Sequence, residues 1–449
     1  MSAQLPDPEA MARRFAARKV LAVSPRLFAG GALTGVTGLT IEAGGCALPL
    51  GARCRLLGPG ASECLAEVVG FKGGQTFLMP LEDPGALRPG TRVLPAPESG
   101  NVGVGGALLG RVVDALGRPL DGRGPLHFFQ TIPLEGRQLN PLNRRPVEEP
   151  LDVGVRAINA LLTVGRGQRL GLFAGSGVGK SVLLGMMTRY TEADVIVVGL
   201  IGERGREVAD FVQRTLNSVS RKRAIVVAAP ADSPPLVRVQ GALRATAYAE
   251  FFRDQGLRVL LLMDSLTRFA QAHREIALAI GEPPARQGYT PSVFARLPQL
   301  VERAGNSDSG KGSITAFYTV LTEGDDPNDP IADASRAILD GHILLSRSIA
   351  ERGRYPAIDV EASVSRTMSD VLSEEKLQWA RKAKSYLSLY NKSADLIAMG
   401  AYQAGADLRL DEAVSFYDSL ETFLSQPANQ GASLLESFTQ LEAVLGVSP

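Results

Sequence analysis

The stretch Gly171-Leu-Phe-Ala-Gly-Ser-Gly-Val-Gly-Lys-Ser181 decides how this chain folds. A short apolar run leads into a glycine-rich turn, and a helical pattern from Val182 to Tyr190 follows it. A strand, such a turn and a helix that begins near Gly-Lys-Ser together form a cradle for phosphate groups. We therefore expect an α/β core that is organised around a nucleoside triphosphate site.

The residue types in this loop suit contact with phosphate. Backbone N–H groups of the turn and of the helix N-terminus donate to phosphate oxygens, and glycines leave room for the approach. Lys180 is the expected cation for the β and γ phosphates of a nucleoside triphosphate, and Ser181 is the expected hydroxyl ligand of Mg²⁺. Ala174 stands where the strict pattern has glycine, and we expect it to have a negative φ. The residues expected to contact the nucleotide are Gly175, Ser176, Gly177, Val178, Gly179, Lys180, Ser181 and Val182.

The composition of the chain limits the kinds of protein it can be. The net charge is +1, from 48 basic and 47 acidic side chains among 449 residues, which argues against an extended nucleic-acid surface. The three cysteines and three histidines show no metal-ligand spacing, and an odd, sparse cysteine count suits a reducing compartment. No apolar run reaches the ~18 residues of a membrane span. We expect a cytoplasmic protein with no nucleic-acid partner.

Two segments are expected ahead of the core. Residues 1–19 include a short basic stretch of helical propensity, which suits docking on an acidic partner or an anionic membrane surface. A frayed helical lead-in with solvated charges explains the same stretch equally well. Residues 20–96 consist of short apolar runs separated by glycine-rich turns, which predicts a small β-barrel. Its few aromatic residues favour a structural barrel over one that binds oligonucleotides.

The remaining chain is expected to form a nucleotide-binding domain over 97–369 and a helical domain over 370–449. The first of these includes a proline-rich connection at 122–150. Unbroken apolar runs separated by helical patterns predict a parallel sheet covered by helices; they occupy 170–173, 195–201, 224–228, 259–263 and 314–321. The helical domain has one apolar stripe, formed by Leu377, Ala380, Ala383, Leu387, Tyr390, Ala394 and Ile397.

Two acidic residues follow strands of this predicted sheet, where ligands of parallel sheets bind. Asp264 ends an apolar run and is suited to hold Mg²⁺ through water, although an aspartate in this position is also a common helix cap. Glu203 follows the first strand after the phosphate-loop helix, and we expect it to orient the attacking water. The alternative for Glu203 is a surface residue paired with Arg204 or Arg206.

Five long motifs in this order resemble the ATPases of type III protein export, which are related to the α and β subunits of rotary ATP synthases. The motifs are Ala174-Gly-Ser-Gly-Val-Gly-Lys-Ser181, Gly202-Glu-Arg-Gly-Arg-Glu-Val208, Leu260-Leu-Leu-Met-Asp-Ser-Leu-Thr-Arg-Phe-Ala270, Gly281-Glu-Pro-Pro-Ala285 and Ser346-Arg-Ser-Ile-Ala-Glu-Arg-Gly-Arg-Tyr-Pro-Ala-Ile-Asp359. The resemblance runs from about Val20 to the C-terminal helices. The phosphate loop with Val182-Leu-Leu-Gly-Met-Met187 is similar to the flagellar branch of this family.

The resemblance implies a RecA-like P-loop ATPase core, an N-terminal β-barrel, a C-terminal helical domain and a homohexameric ring. It implies that Glu203 is the catalytic glutamate and that Arg366 enters the neighbouring subunit's site, where it stabilises charge on the γ phosphate. It implies that Tyr355 packs on adenine and that Arg204 contacts the γ phosphate. ATP and Mg²⁺ are the expected substrate and cofactor.

The resemblance also implies partners and a location. They are a stator-like regulatory dimer at the N-terminus, a coiled-coil stalk in the ring channel, the membrane proteins of the export gate, and chaperone-bound export substrates. The acidic loop Thr322–Pro330 would face the ring's channel and the stalk, although a solvated turn explains its composition equally well. The ring would associate peripherally with the inner face of the cytoplasmic membrane at the export apparatus. Four alternatives stay open at this point: a virulence-secretion ATPase, a catalytic rotary subunit, a nucleic-acid translocase and a nucleotide-gated scaffold without hydrolysis.

Overall fold

A computed structural model describes residues 30–58, 63–85, 87–96, 100–137, 139–175, 177–308, 310, 312–322 and 329–446. The chain divides into two compact units, residues 1–99 and 100–449. The basic segment 1–19, Ser176 and residues 323–328 of the acidic loop lie outside the described residues.

The first unit contains a closed antiparallel barrel. Its strands are β1 (Gly31–Thr37), β2 (Thr40–Gly44), β3 (Arg53–Leu57), β4 (Glu63–Lys72), β5 (Gln75–Pro80) and β6 (Arg92–Pro95), arranged in the order β1-β2-β5-β4-β3-β6. Alternate residues of each strand face inward, so the core receives Cys54 and Leu56 from β3 and Ala66 and Val68 from β4. The predicted barrel is confirmed, and two of the three free cysteines, Cys54 and Cys64, are buried in it.

The second unit carries the remaining strands and all described helices. The strands are β7 (Asn101–Val104), β8 (Val112–Asp114), β9 (Gln130–Pro133), β10 (Pro150–Leu151), β11 (Val164–Gly165), β12 (Arg169–Ala174), β13 (Val195–Ile201), β14 (Ala224–Ala229), β15 (Arg258–Asp264), β16 (Gly305–Asn306), β17 (Ser313–Leu321), β18 (Gly341–Leu345) and β19 (Ile358–Ser365). The helices are α1 (Arg156–Leu161), α2 (Lys180–Tyr190), α3 (Gly205–Asp210), α4 (Ser218–Lys222), α5 (Pro235–Asp254), α6 (Leu266–Ala279), α7 (Pro291–Val301), α8 (Pro330–Ile338), α9 (Arg347–Glu351), α10 (Met368–Val371), α11 (Glu374–Ala398), α12 (Leu408–Leu424) and α13 (Leu434–Leu445).

A nine-stranded sheet forms the centre of this unit in the part of the chain that the structure describes. Its order is β19-β18-β12-β17-β15-β13-β14-β8, with β16 paired to β17. Every neighbouring pair on this path is parallel except β18 and β19. All residues of β13 and β14 are buried, because helices cover both faces.

The edge strand β19 is antiparallel to β18 and adds to the parallel sheet that the sequence predicted. The connection from β18 contains the short helix α9 and returns the chain beside β18, so Leu345 pairs with Ile358 and Gly341 with Ser365. As an edge strand, β19 has exposed residues among its buried ones, a pattern that differs from the fully buried central strands. The sheet is therefore mixed at this edge.

Three C-terminal helices complete the unit. The first part of the predicted stripe on α11 is buried, at Leu377, Ala380, Ala383 and Leu387, while Tyr390, Ala394 and Ile397 are half-buried. The later part of α11 pairs with α12, where the ring of Tyr390 stacks on Tyr417 with centroids 3.5 Å apart. Among the described residues, no helix combines the length and the apolar character needed to cross a membrane.

Candidate nucleotide site

The phosphate loop joins the carboxyl end of β12 to the start of α2. Gly177 and Gly179 have φ values of 82° and 92°, in the left-handed region that favours glycine. No side chain caps α2 at Gly179, so its first N–H groups are left for an anion. Ala174 is the buried last residue of β12. Its φ is negative, as expected, because among the described non-glycine residues only Gln287 has a positive φ.

Three charged residues that the sequence analysis selected meet beside this loop. The ammonium of Lys180 donates to Oε1 of Glu203 at 2.9 Å and to Oδ1 of Asp264 at 2.6 Å. Their side chains are 12, 11 and 5 % exposed. Lys180 begins α2, Glu203 lies just after β13, and Asp264 ends β15, so three elements bring the groups to one edge of the sheet.

Burial and charge set the protonation of this cluster. Burial alone would lower the pKa of Lys180, but Asp264 and Glu203 together outweigh it and raise this pKa above its ordinary value. Burial raises the pKa of Asp264, and the negative charge of Glu203 adds to the effect, while Lys180 and Thr319 oppose it. The lysine is therefore held firmly as a cation in a site with little solvent.

Thr319 belongs to this cluster, although the sequence analysis did not select it. Its hydroxyl donates to Oδ1 of Asp264 at 2.6 Å from β17, the strand that lies between β12 and β15. The signal in the sequence was a polar residue near the end of the apolar run Ile314–Leu321. That signal carries no information about which strand is adjacent, so the contact emerges only from the sheet order.

The backbone around Glu203 explains its orientation. Gly202 has a φ of 72°, and a Cβ there would lie 2.6 Å from Cβ of Arg268, so glycine is required. Gly202 donates its N–H to the carbonyl of Ala229 at 2.7 Å, which fixes the turn after β13. The neighbouring Arg204 is 85 % exposed and lies 3.8 Å from Glu207. The structure thus brings Glu203, and not Arg204, to Lys180.

Tyr355 lies next to the phosphate loop. Its ring carbons are 3.5 Å from the position that a Cβ would take on Gly179, and its side chain is half-exposed. The carbonyl of Tyr355 accepts a hydrogen bond from the backbone of Gln426 at 2.9 Å, which ties this segment to the C-terminal helices. In the loop itself, Val178 is buried whereas Ser181 and Val182 are exposed.

Arg366 does not join the other predicted site residues. It is exposed, and its guanidinium donates to the carbonyl of Arg336 at 3.2 Å. Ser365, the residue before it, pairs with Gly341 of β18. The next residue of β18, His342, pairs with Gly171 of β12. Arg366 therefore lies roughly 16 Å back along the strands from the end of β12 and two strands away from it. The phosphate loop lies at the opposite end of the strands, beyond the carboxyl end of β12.

Two family profiles match the second unit. The profile "ATP synthase alpha/beta family, nucleotide-binding domain" matches residues 154–365, and the profile "T3SS EscN ATPase C-terminal domain" matches residues 372–443. The first includes the phosphate loop, Glu203 and Asp264, and the second includes most of the C-terminal helices.

Proteins of known name are similar over nearly the whole chain. The flagellum-specific ATP synthase of Pseudomonas aeruginosa is 56 % identical over 418 residues, covering 92 % of this chain and 93 % of the relative. That of Salmonella typhimurium is 57 % identical over 434 residues, covering 94 % and 95 %.

Solved structures agree with this similarity. The assembled ATPase EscN of the type III secretion system of enteropathogenic E. coli has a TM-score of 0.88 at 41 % identity, covering 92 % of this chain and all of EscN. EscN in complex with its central stalk EscO gives a TM-score of 0.85 at 40 % identity, with the same coverage. These two flagellar relatives are thus more similar to this chain in sequence than EscN is. The chain is an ATPase that belongs to the flagellum-specific ATP synthases, the flagellar branch of the type III export ATPases.

Proposed function

We propose that this ATPase forms a homohexameric ring in which Arg366 of one copy completes the nucleotide site of the next. The observation that carries the proposal is the separation within one chain between Arg366 and the cluster of Lys180, Glu203 and Asp264. An exposed arginine at the opposite end of the strands is available to a neighbouring copy and is remote from the phosphate loop of its own chain. EscN, described as an assembled ATPase, supports self-assembly.

Within the proposed site, the loop backbone and Lys180 hold the phosphates. A γ phosphate gives the ammonium of Lys180 another anionic partner, and Glu203 is then free to accept a hydrogen bond from the attacking water. Arg366 of the neighbour stabilises the charge that develops on the transferred phosphoryl group. Tyr355 packs on adenine. Contact between Arg204 and the γ phosphate stays a prediction, because this side chain is almost fully exposed.

Mg²⁺ fits the oxygen donors at this site. The carboxylate of Asp264 and the hydroxyl of Ser181 are hard ligands, and Mg²⁺ commonly binds to one or two protein groups together with phosphates and water. When bound, it neutralises negative charge on the β and γ phosphates. Asp264 is held for this role by Lys180 and Thr319, which keep the carboxylate in one position.

The proposed role of hydrolysis is to energise flagellar export by releasing or unfolding chaperone-bound substrates. The complex of EscN with its central stalk EscO supports a stalk-like partner in the channel of the ring. We also propose that residues 1–19 bind a stator-like regulatory dimer, and that the ring associates with the export gate at the cytoplasmic face of the membrane. Pull-down with the purified stalk and regulatory proteins tests these partners directly.

Mixed rings test the shared site. Glu203→Gln copies lack their own water-orienting group but keep Arg366, whereas Arg366→Ala copies have the opposite defect. If the two variants are mixed as monomers and then concentrated, about one interface in four should combine an intact Glu203 with an intact Arg366. We expect ATPase activity well above that of either variant alone. If the mixture is as inactive as its components, Arg366 does not act across the interface.

A further inference from the structure

Residues 365–366, here called the arm of Arg366, are hydrogen-bonded to the core of their own chain. The backbone N–H of Arg366 donates to the carbonyl of Asp340 at 3.0 Å, and the hydroxyl of Ser365 donates to the carbonyl of Thr163 at 2.8 Å. Asp340 immediately precedes β18, and Ser365 ends β19. The backbone position of Arg366 therefore depends on what holds Asp340 and Ser365.

Gln168 holds both of these residues. Its Nε2 donates to the carbonyl of Asp340 at 2.9 Å and to the hydroxyl oxygen of Ser365 at 3.0 Å, while its Oε1 accepts from the N–H of Gly165 at 2.9 Å. The residue is completely buried. Because a buried carboxamide is stable only when its donors and acceptor are bonded, this side chain has one favoured orientation.

A second link fixes Asp340 from the first residue of β12. Arg169, the residue after Gln168, donates through Nε to Oδ2 of Asp340 at 2.9 Å and through a terminal nitrogen to Oδ1 at 3.1 Å. Two parallel bonds of this kind define the geometry of a carboxylate closely. Arg169 begins β12, and the other end of β12 leads into the phosphate loop. One strand therefore supports the phosphate loop at one end and the arm of Arg366 at the other.

We propose that Gln168 is a positioning residue for Arg366, and that its carboxamide sets the place of this arginine in the neighbouring copy's site. The inference rests on the proposed shared site. It has one distinctive consequence: loss of the Gln168 contacts harms the nucleotide site of the next copy and leaves the site of its own chain intact. A shift of about 1 Å in a catalytic group is enough to slow a reaction roughly 10²-fold.

The test uses Gln168→Met, which keeps the length of the side chain and removes its hydrogen bonds. We expect kcat to fall about 10²-fold, with unchanged binding of a fluorescent ATP analogue. Mixing Gln168→Met with Glu203→Gln should restore activity, because Glu203→Gln copies donate a correctly placed Arg366 to the intact sites of Gln168→Met copies. Ser365→Ala removes one of the same contacts with less disturbance and should behave alike, whereas Ser365→Thr keeps the hydroxyl and should remain active.

The mixture of Arg366→Ala with Glu203→Gln is the reference. If that mixture regains activity and neither Gln168→Met nor Ser365→Ala does so with Glu203→Gln, then Gln168 acts on its own site or on folding, and the inference is overturned. If the reference mixture itself gains nothing, the shared site is wrong and the inference falls with it. Full activity of both Gln168→Met and Ser365→Ala would likewise contradict it.

Discussion

Lys180 and Asp264 are 84 positions apart in the sequence, yet the ammonium of one lies 2.6 Å from a carboxylate oxygen of the other. Lys180 begins the helix after the phosphate loop, and Asp264 is the buried last residue of β15, two strands away from β12 in the sheet. The pair, together with Glu203, forms the charged centre of the nucleotide site.

Removal of the cation should destabilise the protein that is free of nucleotide. Lys180→Met leaves Asp264 and Glu203 buried without their partner, and breaking a buried pair in this way costs about 3 kcal/mol. Burial raises the pKa of Asp264, and loss of Lys180 removes the charge that opposes this rise, so the deficit should be larger at pH 8 than at pH 5. Urea unfolding at the two pH values measures it. Lys222→Met, at an exposed position, is the control, and an equal change in both variants would contradict the prediction.

Glu203→Gln should separate nucleotide binding from hydrolysis. The amide keeps the size of the side chain but loses the negative charge that polarises water, so kcat should fall about 10²- to 10⁴-fold. The dissociation constant for ATP, measured by titration calorimetry, should change little. Glu207→Gln alters an exposed glutamate four residues on and should retain activity. If Glu203→Gln hydrolyses ATP at the normal rate, another group orients the water.

Tyr355→Ala should weaken the binding of ATP and leave the binding of the phosphates unaffected. Stacking of a base on an aromatic ring contributes about 1–3 kcal/mol, which the variant would lose. Competition experiments with tripolyphosphate, which has no base, should give the wild-type inhibition constant. Tyr355→Phe keeps the ring and serves as the control. Equal losses for ATP and tripolyphosphate would instead indicate damage to the loop beside Gly179.

His273 should make the protein sensitive to acid. Burial lowers the pKa of this imidazole to about 4, and nearby Arg296 adds to the effect. Between about pH 6.5 and pH 4 the unfolded chain binds a proton that the folded chain does not, so stability is lost as the pH falls through this range, by about 3 kcal/mol in total. In urea unfolding, the wild type should therefore lose stability relative to His273→Leu as the pH falls from about 6.5 to about 4. His127→Leu changes an exposed histidine and should show no such difference relative to the wild type.

The sequence allowed prediction of features that depend on neighbouring residues. The phosphate loop, the buried strands and the charged residues at strand ends are encoded in short stretches, since apolar runs and glycine-rich turns act locally. Glu203 and Asp264 were expected at the same edge because the carboxyl ends of parallel strands meet there. Their shared contact with Lys180 agrees with that expectation.

Features that depend on strand order could not be predicted. The contact between Thr319 and Asp264 requires β17 to lie beside β15, and no local pattern specifies that neighbour. The contacts of Gln168, the residue before β12, likewise reach residues 172 and 197 positions later in the chain. Helical and strand periodicity determine the type of element, whereas these pairings arise from packing of the whole sheet.

The measurement that tests the central claim most directly is ATPase activity per copy as a function of protein concentration, with oligomer size determined in parallel by mass photometry. Because the site of one chain lacks Arg366 from its neighbour, we predict slow hydrolysis by the monomer and a steep rise as rings assemble. Constant specific activity down to a proven monomer would contradict the shared site.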